Sequence, residues 1–215
     1  EQYLRPALTW PRRTQVGLGL RVMPAGCVFA DKGPAAFING DPPNELLALL
    51  AVTTSTTFRY LVGLQMAFGS YEVGVIQRTP VPNFSSEIVA SLAPLARRAW
   101  SIKRSLDTDN ETSHAFLLPP RLNRKVTAID GSALERELAD IHAQIDDLTF
   151  SLYGITAEDR ATIEAPTEPA TPDSDDAEAE ASDDTDEADN EAILGGGSDA
   201  LSSWLVGVAF SRFDP

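Results

Sequence analysis

Two stretches of the chain carry apolar side chains at the alternating four- and three-residue spacing that forms one face of a long helix. We call each such apolar face a seam. The members of the first stretch are Ile88, Leu92, Leu95, Ala99, Ile102 and Leu106. The members of the second are Leu134, Leu138, Ile141, Ile145, Leu148 and Leu152. Because a polar connection over residues 107–131 separates them, the two helices are predicted to pack antiparallel at a shallow angle.

Residues with capping side chains mark the ends of these two helices. Ser85 or Ser86 is predicted to cap the first helix, and Ser132 is predicted to begin the second. Gly154 is predicted to end the second helix, because glycine readily adopts the left-handed conformation that follows a helix. Pro94 lies inside the first seam, so it is predicted to kink that helix or to mark its true start.

An apolar region upstream predicts two shorter helices, over residues 44–52 and 56–67. Asn44 is the predicted N-cap of the first. A run of five hydroxyl side chains disfavours helix between them, and Thr54 or Ser55 is the predicted cap of the second.

The remaining ordered segments are predicted to form strands. Residues 16–38 contain short runs of alternating apolar and polar side chains separated by two turns, which indicates a meander of short strands. Residues 1–14 are expected to be irregular. Residues 72–78 alternate in the same way before Pro80, which predicts a further strand. The expected fold is therefore α+β, with a small mixed or antiparallel sheet and short helices, then a pair of long antiparallel helices and a disordered acidic tract.

The charge of the chain is unevenly distributed. The net charge is −15, but residues 166–192 hold 12 acidic residues and no lysine or arginine. Residues 1–125 hold 14 basic and 9 acidic residues, a net charge of +5. The acidic tract lacks aromatic residues and is predicted to be disordered. A mildly basic folded part can bind a polyanion, although an ordinary solvated surface can carry the same charge.

These features predict four regions in the chain. A β-rich part with two short helices is expected over residues 1–84, and a helical part, including a short helix capped by Thr156, over residues 85–165. An acidic linker, either a plain spacer or a tethered competitor for DNA, is expected over residues 166–197. Residues 198–215 are expected to start a further segment with a short helix that docks on the folded part. Both ends are expected to lie within a longer polypeptide.

Few residues offer catalytic or metal-binding chemistry. Cys27 is the single cysteine, so an internal disulfide and a cysteine zinc site are excluded and a reducing, cytoplasmic compartment is expected. His114 and His142 are isolated, and Asp146 and Asp147 would point to different sides of a helix. No stretch approaches the roughly 18 apolar residues of a membrane span. No catalytic or metal-binding residue is therefore assigned, and no membrane association is expected.

Several basic and hydrogen-bonding side chains are candidates for contact with a nucleic acid. Arginine and lysine neutralise phosphates, whereas tyrosine, glutamine and arginine stack on bases or bind their edges. The candidates for phosphate contact are Arg12, Arg13, Arg21, Lys32 and Arg59, and those for base contact are Tyr71, Gln77 and Arg78. The alternatives are an ordinary edge strand with a solvated tip and, for Trp10, an anchor at the edge of the core.

Several stretches, taken in order, carry a family resemblance. They comprise residues 8–14, 19–34, 45–50, 58–62, 68–82, 99–107, 111–116, 152–160 and 206–214. Together they resemble the C-terminal half of type IIG-like adenine-specific DNA methyltransferases, which include the PglX methyltransferases of BREX phage defence. One departure is that residues 52–55 read Val-Thr-Thr-Ser where the family usually has Leu-Asn-Ser.

The resemblance implies a DNA-binding target-recognition fragment of a bacterial restriction–modification or phage-defence enzyme that methylates adenine at N6. In such an enzyme, a catalytic domain of the same parent polypeptide transfers the methyl group from S-adenosylmethionine to a flipped-out adenine. The glycine-rich cofactor motif and the Asn-Pro-Pro-Tyr motif of that domain are absent from this sequence. The implied partners are double-stranded DNA, the catalytic domain and other defence-system subunits. The rival interpretation is a helical protein-interaction module of a bacterial defence complex.

Overall fold

The fold is α+β, as predicted, and combines one small antiparallel sheet with several helices. The computed structural model describes residues 2–14, 17–66, 70–113, 115–127, 130–165 and 204–206. The strands are β1 (Ala7–Thr9), β2 (Arg21–Met23) and β3 (Ala35–Ala36). The helices are α1 (Pro43–Thr54), α2 (Thr56–Gly63), α3 (Val73–Arg78), α4 (Ser86–Leu106), α5 (Pro120–Val126), α6 (Gly131–Tyr153) and α7 (Ala157–Glu164).

The sheet has the order β2–β1–β3, with β1 in the centre. Leu8 pairs with Val22 on one side and with Ala36 on the other, both antiparallel. The expectation that residues 1–14 are irregular was therefore wrong, because three of them form the central strand. The two strands found within residues 16–38 pair with β1 rather than with each other, so this segment is not a simple meander.

The two seamed helices, α4 and α6, pack antiparallel as predicted. Arg98 of α4 binds Glu137 of α6 near the middle of the pair, with both N–O distances at 2.6 Å. At one end, a Cβ placed on Gly131 would lie 3.8 Å from Leu106. At the other end, Leu92 lies beside Leu148 in a shared surface cleft. The seams bury each other, with Leu92, Ile102, Leu138, Ile141 and Ile145 all 8% exposed or less.

A second face of α4 packs along α1. Ala93 and Ala96 are buried on α4, and their small side chains allow close approach of the two helices. One cluster of buried residues extends from Trp10 through Phe58 to Ile145. The hydrophobic core is therefore continuous across residue 85, where the sequence predicted a boundary between two parts.

Four of the predicted helix ends are confirmed. The hydroxyls of Ser55, Ser85 and Thr156 accept hydrogen bonds from backbone N–H groups at the starts of α2, α4 and α7. Gly154 follows α6 with a φ of 66°, in the left-handed conformation expected of a C-terminal glycine.

Other helix ends differ from the prediction. Asn44 is not a cap, because α1 begins at Pro43, whose fixed φ suits the first helical position. α6 begins at Gly131, one residue before the predicted Ser132, and Asp130 caps it by accepting from two backbone N–H groups. Pro94 does not mark the start of α4, which begins at Ser86 and continues through the proline. The helix predicted over residues 56–67 ends earlier, at Gly63.

The connection between the long helices contains structure that the sequence pattern did not predict. A 3₁₀ turn covers Asp107–Asp109, and α5 begins directly after Pro119. Asn123 of α5 is buried, and its side-chain amide donates to Thr108 and Asp109. These hydrogen bonds hold α5 against the end of α4.

The strand predicted over residues 72–78 was wrong, because this segment forms α3. In a strand Val73 and Val75 would face the same side, whereas here Val75 is buried and Val73 is 38% exposed. Instead Val75 and Ile76 face the core one turn before Thr79, whose hydroxyl donates to the Val75 carbonyl at 3.0 Å. A short alternating run also fits one helical turn, and here packing selects the helix.

Some predictions concern residues beyond the described part of the chain. The predicted disorder of residues 166–192 and the linker expected over residues 166–197 lie there. Of the predicted C-terminal helix, residues 204–206 are described, and they are helical.

Within the described segments, no single helix has the length and apolarity to cross a bilayer. The α1–α2 pair reaches that length and apolarity only when the two helices are taken together, and it is bent by 62°.

Asp146 of α6 holds the beginning of α2, because its carboxylate accepts from Thr56 N at 2.7 Å and from Thr56 Oγ1 at 2.8 Å. Removing a capping carboxylate costs about 1–2 kcal/mol. We expect Asp146→Ala to lower the free energy of unfolding by that amount in urea titrations. Asp147→Ala is the matched control, because it removes a surface ion pair with Arg160 and should cost less than about 1 kcal/mol. Equal losses in the two variants would contradict the capping role.

Candidate nucleic-acid interface

The N-terminal segment is attached to the segment before α3 through Trp10 and Tyr71. Trp10 is 3% exposed, and its indole Nε1 donates to the Tyr71 carbonyl at 2.9 Å. The Tyr71 N–H donates in turn to the Arg12 carbonyl at 2.7 Å, and Arg13 pairs with Ser70 in an isolated β-bridge. Trp10 is therefore an anchor at the core edge, and it fixes Tyr71 beside the arginines.

Arg12 connects three segments through its side chain and backbone. Its guanidinium donates to Asp31 at 2.7 Å and to Glu72 at 2.6 Å, and its N–H donates to the Lys32 carbonyl at 3.1 Å. The hydrogen bond from Arg12, supported by one from Ser70, holds the pKa of Glu72 below its usual value. Because two carboxylates neutralise Arg12, a phosphate would have to compete with both of them for this side chain.

Arg59 and Tyr71 converge on Gly17. A Cβ placed on Gly17 would lie 3.6 Å from Arg59 Nη2 and 4.0 Å from Tyr71 Oη. Gly17 has a φ of 86°, a conformation that favours glycine, and the missing side chain leaves both polar groups uncovered. Arg59 is exposed on α2, and within the described residues it has no carboxylate partner.

The other candidate cations lie at separate places around this junction. Arg13 is exposed on the N-terminal segment, close enough to Glu72 to help lower the pKa of that carboxyl group. Arg21 is exposed on the edge strand β2, and Lys32 is exposed in the turn before β3. The sequence grouped these residues by type, whereas the structure places Arg12 and Arg13 beside Glu72 and brings Arg59 and Tyr71 together at Gly17.

Gln77 and Arg78 are exposed on the last turn of α3. Glu72 immediately precedes α3, so its ion pair with Arg12 fixes where that helix begins. The far end is held by Thr79, which accepts from Gln65 Nε2 at 2.9 Å, and by Tyr153, which donates to the Pro80 carbonyl at 2.9 Å. Burial raises the pKa of Tyr153 to about 12, so its hydroxyl stays protonated at neutral pH.

The basic face of α4 is partly neutralised. Arg98 binds Glu137 with two hydrogen bonds, and Arg104 lies 6.0 Å from the ring centre of Trp100. Arg97 contacts Asn44 at 3.3 Å beside an open groove of about 550 Å³ with Ala90 in its wall. Arg97 and Arg98 both line this groove.

The histidine and carboxylates considered in the sequence do not assemble into a catalytic set. Asp146 caps α2, and Asp147 binds Arg160 at 2.6 Å. Desolvation lowers the pKa of His142 below its usual value, although nearby Asp146 opposes the shift. His114 lies outside the described residues. Within the described segments, no group of three histidine, cysteine or acidic residues has the geometry of a metal site.

Sequence reasoning missed the roles of Asp31 and Glu72, because a partner for Arg12 at a distance of 19 or 60 residues leaves no local signal.

No protein-family model matches this sequence, and no curated protein is significantly similar to it. A function is therefore inferred from the side chains at the interface.

The Arg12–Glu72 ion pair predicts a pH dependence of stability. The folded-state pKa of Glu72 is lowered, so its contribution is present above the unfolded pKa of about 4.3 and is lost as the pH falls through the folded value. We expect Glu72→Gln to melt at a lower temperature than the wild type at pH 7, and the difference to shrink below pH 4.

The control for this measurement is Glu135→Gln, which changes an exposed carboxylate of α6. The same melting scans between pH 3 and pH 7 should give curves for this variant and the wild type that run in parallel. A gap between Glu72→Gln and the wild type that grows toward acid pH would contradict the ion-pair account.

Proposed function

We propose that this chain is the DNA-binding target-recognition part of a site-specific adenine-N6 DNA methyltransferase. The observation that carries the proposal is the convergence of Arg59 and Tyr71 on Gly17, beside Arg13. An uncompensated guanidinium binds a phosphate, and an adjacent phenol ring stacks on or hydrogen-bonds to a nucleotide. The ordered resemblance of its segments to type IIG-like methyltransferases supports a role of this surface in DNA binding.

In this proposal the chemistry belongs to a catalytic domain of the same parent polypeptide. That domain would bind S-adenosylmethionine and flip the target adenine, while this chain would hold the surrounding duplex. Such an enzyme would act in the bacterial cytoplasm, in restriction–modification or in BREX-type phage defence, with other defence subunits as partners.

The candidate residues divide into two groups by role. Arg13, Arg21, Lys32 and Arg59 would contact phosphates, and Tyr71, Gln77 and Arg78 would contact base edges. Arg12 would act indirectly in this arrangement, because its ion pairs to Asp31 and Glu72 position Tyr71 and the start of α3.

The rival function, a helical protein-interaction module, has less support from the packing. The two apolar seams would be its binding surface, yet Leu138, Ile141 and Ile145 of α6 are buried in the core that α4 shares. The groove beside Arg97 remains as a surface for a protein partner. Salt separates the two functions, because duplex binding weakens steeply with salt and an apolar interface does not.

Replacement of Arg59 tests the phosphate contact. We expect Arg59→Ala to weaken binding to any duplex severalfold and to reduce the slope of log affinity against log salt by about 0.9. Fluorescence anisotropy with a labelled duplex at several salt concentrations measures both quantities. Arg136→Ala, which removes one exposed charge from α6, controls for net charge. A slope that changes equally in both variants would remove Arg59 from the interface.

Replacement of Gln77 and Arg78 tests base contact separately. We expect Gln77→Ala and Arg78→Ala to relax the preference for particular sequences, because each lost base contact costs about 1–3 kcal/mol of discrimination. Selection from a randomised duplex pool, followed by sequencing, measures that preference. If the selected sequences and the affinity stay the same in both variants, neither side chain reads bases.

A further inference from the structure

The N-terminal segment and two loops expose a cluster of apolar side chains, which we call the aromatic patch. Its members are Tyr3, Leu4, Val28, Phe29 and Phe37. The ring centres of Tyr3 and Phe29 are 5.0 Å apart, and those of Phe29 and Phe37 are 5.4 Å apart. Tyr3 and Leu4 are each 59% exposed, and Val28 is 71% exposed. Phe29 and Phe37 are half-buried. Exposed apolar side chains grouped in this way are typical of an interaction site.

The backbone holds Leu4 in a conformation that non-glycine residues avoid. Its φ is 69°, in the left-handed region. The Leu4 N–H donates to the Cys27 carbonyl, and the Leu4 carbonyl accepts from Gly26 N, both at 3.0 Å. Backbone outliers of this kind cluster at functional sites, and the Leu4 side chain lies mostly in solvent, where a partner can reach it.

The charges beside the patch favour an uncharged partner. Arg5 lies over the Phe37 ring at 5.3 Å, but its guanidinium binds Asp41 at 2.7 Å and the Ile38 carbonyl at 3.1 Å. This cation is already neutralised, so it offers little to a phosphate backbone. An apolar protein segment fits the patch better than a nucleic acid does.

The same chain contains a segment of matching polarity. Residues 200–211 include no charged residue, and their large apolar side chains are Leu201, Trp204, Leu205, Val206, Val208 and Phe210. In the described part of this segment, Leu205 is 54% exposed and Val206 is 57% exposed. We propose that residues 200–211 bind the aromatic patch of their own chain.

The intervening residues 166–199 are long enough to connect the two surfaces. Residues 166–199 would span up to about 110 Å if fully extended. A folded body of about 160 residues has a radius of gyration of about 15 Å, so every part of its surface is within reach. Tethering of this kind gives effective concentrations in the millimolar range, which favours even a modest interface.

The groove on α4 is a less suitable place for this segment. Arg97 and Arg98 line it, and Arg97 has a single contact at 3.3 Å with Asn44. Covering Arg97 with an uncharged segment would desolvate a cation without giving it a partner, which is costly. The aromatic patch requires no such desolvation, because Asp41 already satisfies Arg5.

The native cysteine provides a direct test. Cys27 is the single cysteine of the chain, half-buried at the edge of the patch beside Val28. In the Val206→Cys variant of the full chain, mild oxidation or a short bismaleimide should link residues 27 and 206 within one molecule, since a disulfide needs Cα atoms within about 7 Å. Gel mobility and mass spectrometry distinguish this product from a linked dimer.

Two substitutions serve as the matched pair for this experiment. Leu4→Asp should reduce the yield of the cross-link at least tenfold, and aspartate tolerates the left-handed backbone of this position. Leu64→Asp, at a 67% exposed position after α2, should leave the yield unchanged. A second cysteine placed at Ser182 in the acidic tract should link to Cys27 much less efficiently than one at position 206.

The remaining outcomes would overturn the proposal. These are the absence of a 27–206 cross-link, a yield that Leu4→Asp does not change, and equal yields from positions 182 and 206. Linked dimers would assign the patch to a second copy of the chain. A loss of duplex binding in Leu4→Asp, with the cross-link retained, would assign the patch to a nucleic acid.

Discussion

The two-sided burial of α4 is the constraint on which the rest of the structure depends. One face of this helix packs against α6 and another against α1, so a single helix joins the seam and the upstream core. α1 leads directly into α2, and Asp146 of α6 caps α2 from the other direction. α4, α1, α2 and α6 therefore form a closed ring of contacts. The position of Arg59 on α2 follows from that ring and does not depend on a flexible loop.

A second set of contacts places the other half of the candidate interface. Trp10 and Arg12 bind the backbone and side chains of residues 70–72, and this fixes Tyr71 and the start of α3. The same contacts neutralise Arg12, which is therefore unavailable as a free cation. The interface combines one arginine used for structure with arginines that remain exposed, and Gly17 keeps the space between Arg59 and Tyr71 open.

The sequence predicted the features that depend on local pattern. The seams of α4 and α6, the serine and threonine caps and the terminal Gly154 are each encoded within a few residues. β1 was missed because three residues form a strand only when two distant partners flank them. α3 was predicted as a strand because six residues fit both a period of two and a single helical turn.

The candidate site was predictable by residue type and not by arrangement. Residue type alone made Arg12 and Arg59 equivalent candidates for phosphate contact in the sequence. They differ only because Asp31 and Glu72 approach Arg12 in the fold. Likewise, the aromatic patch joins residues from three separate segments, and a linear pattern cannot show that Tyr3, Phe29 and Phe37 meet.

Hydrogen–deuterium exchange of the chain, measured with and without a DNA duplex, tests the central claim most directly. Its readout is the position of the bound duplex on the fold. If the chain holds DNA through the junction of Arg13, Arg59 and Tyr71, added duplex will slow exchange over residues 10–17 and 56–72 and leave the α4–α6 face unchanged. Unchanged exchange in both regions, or slowing confined to the groove on α4, would contradict the account.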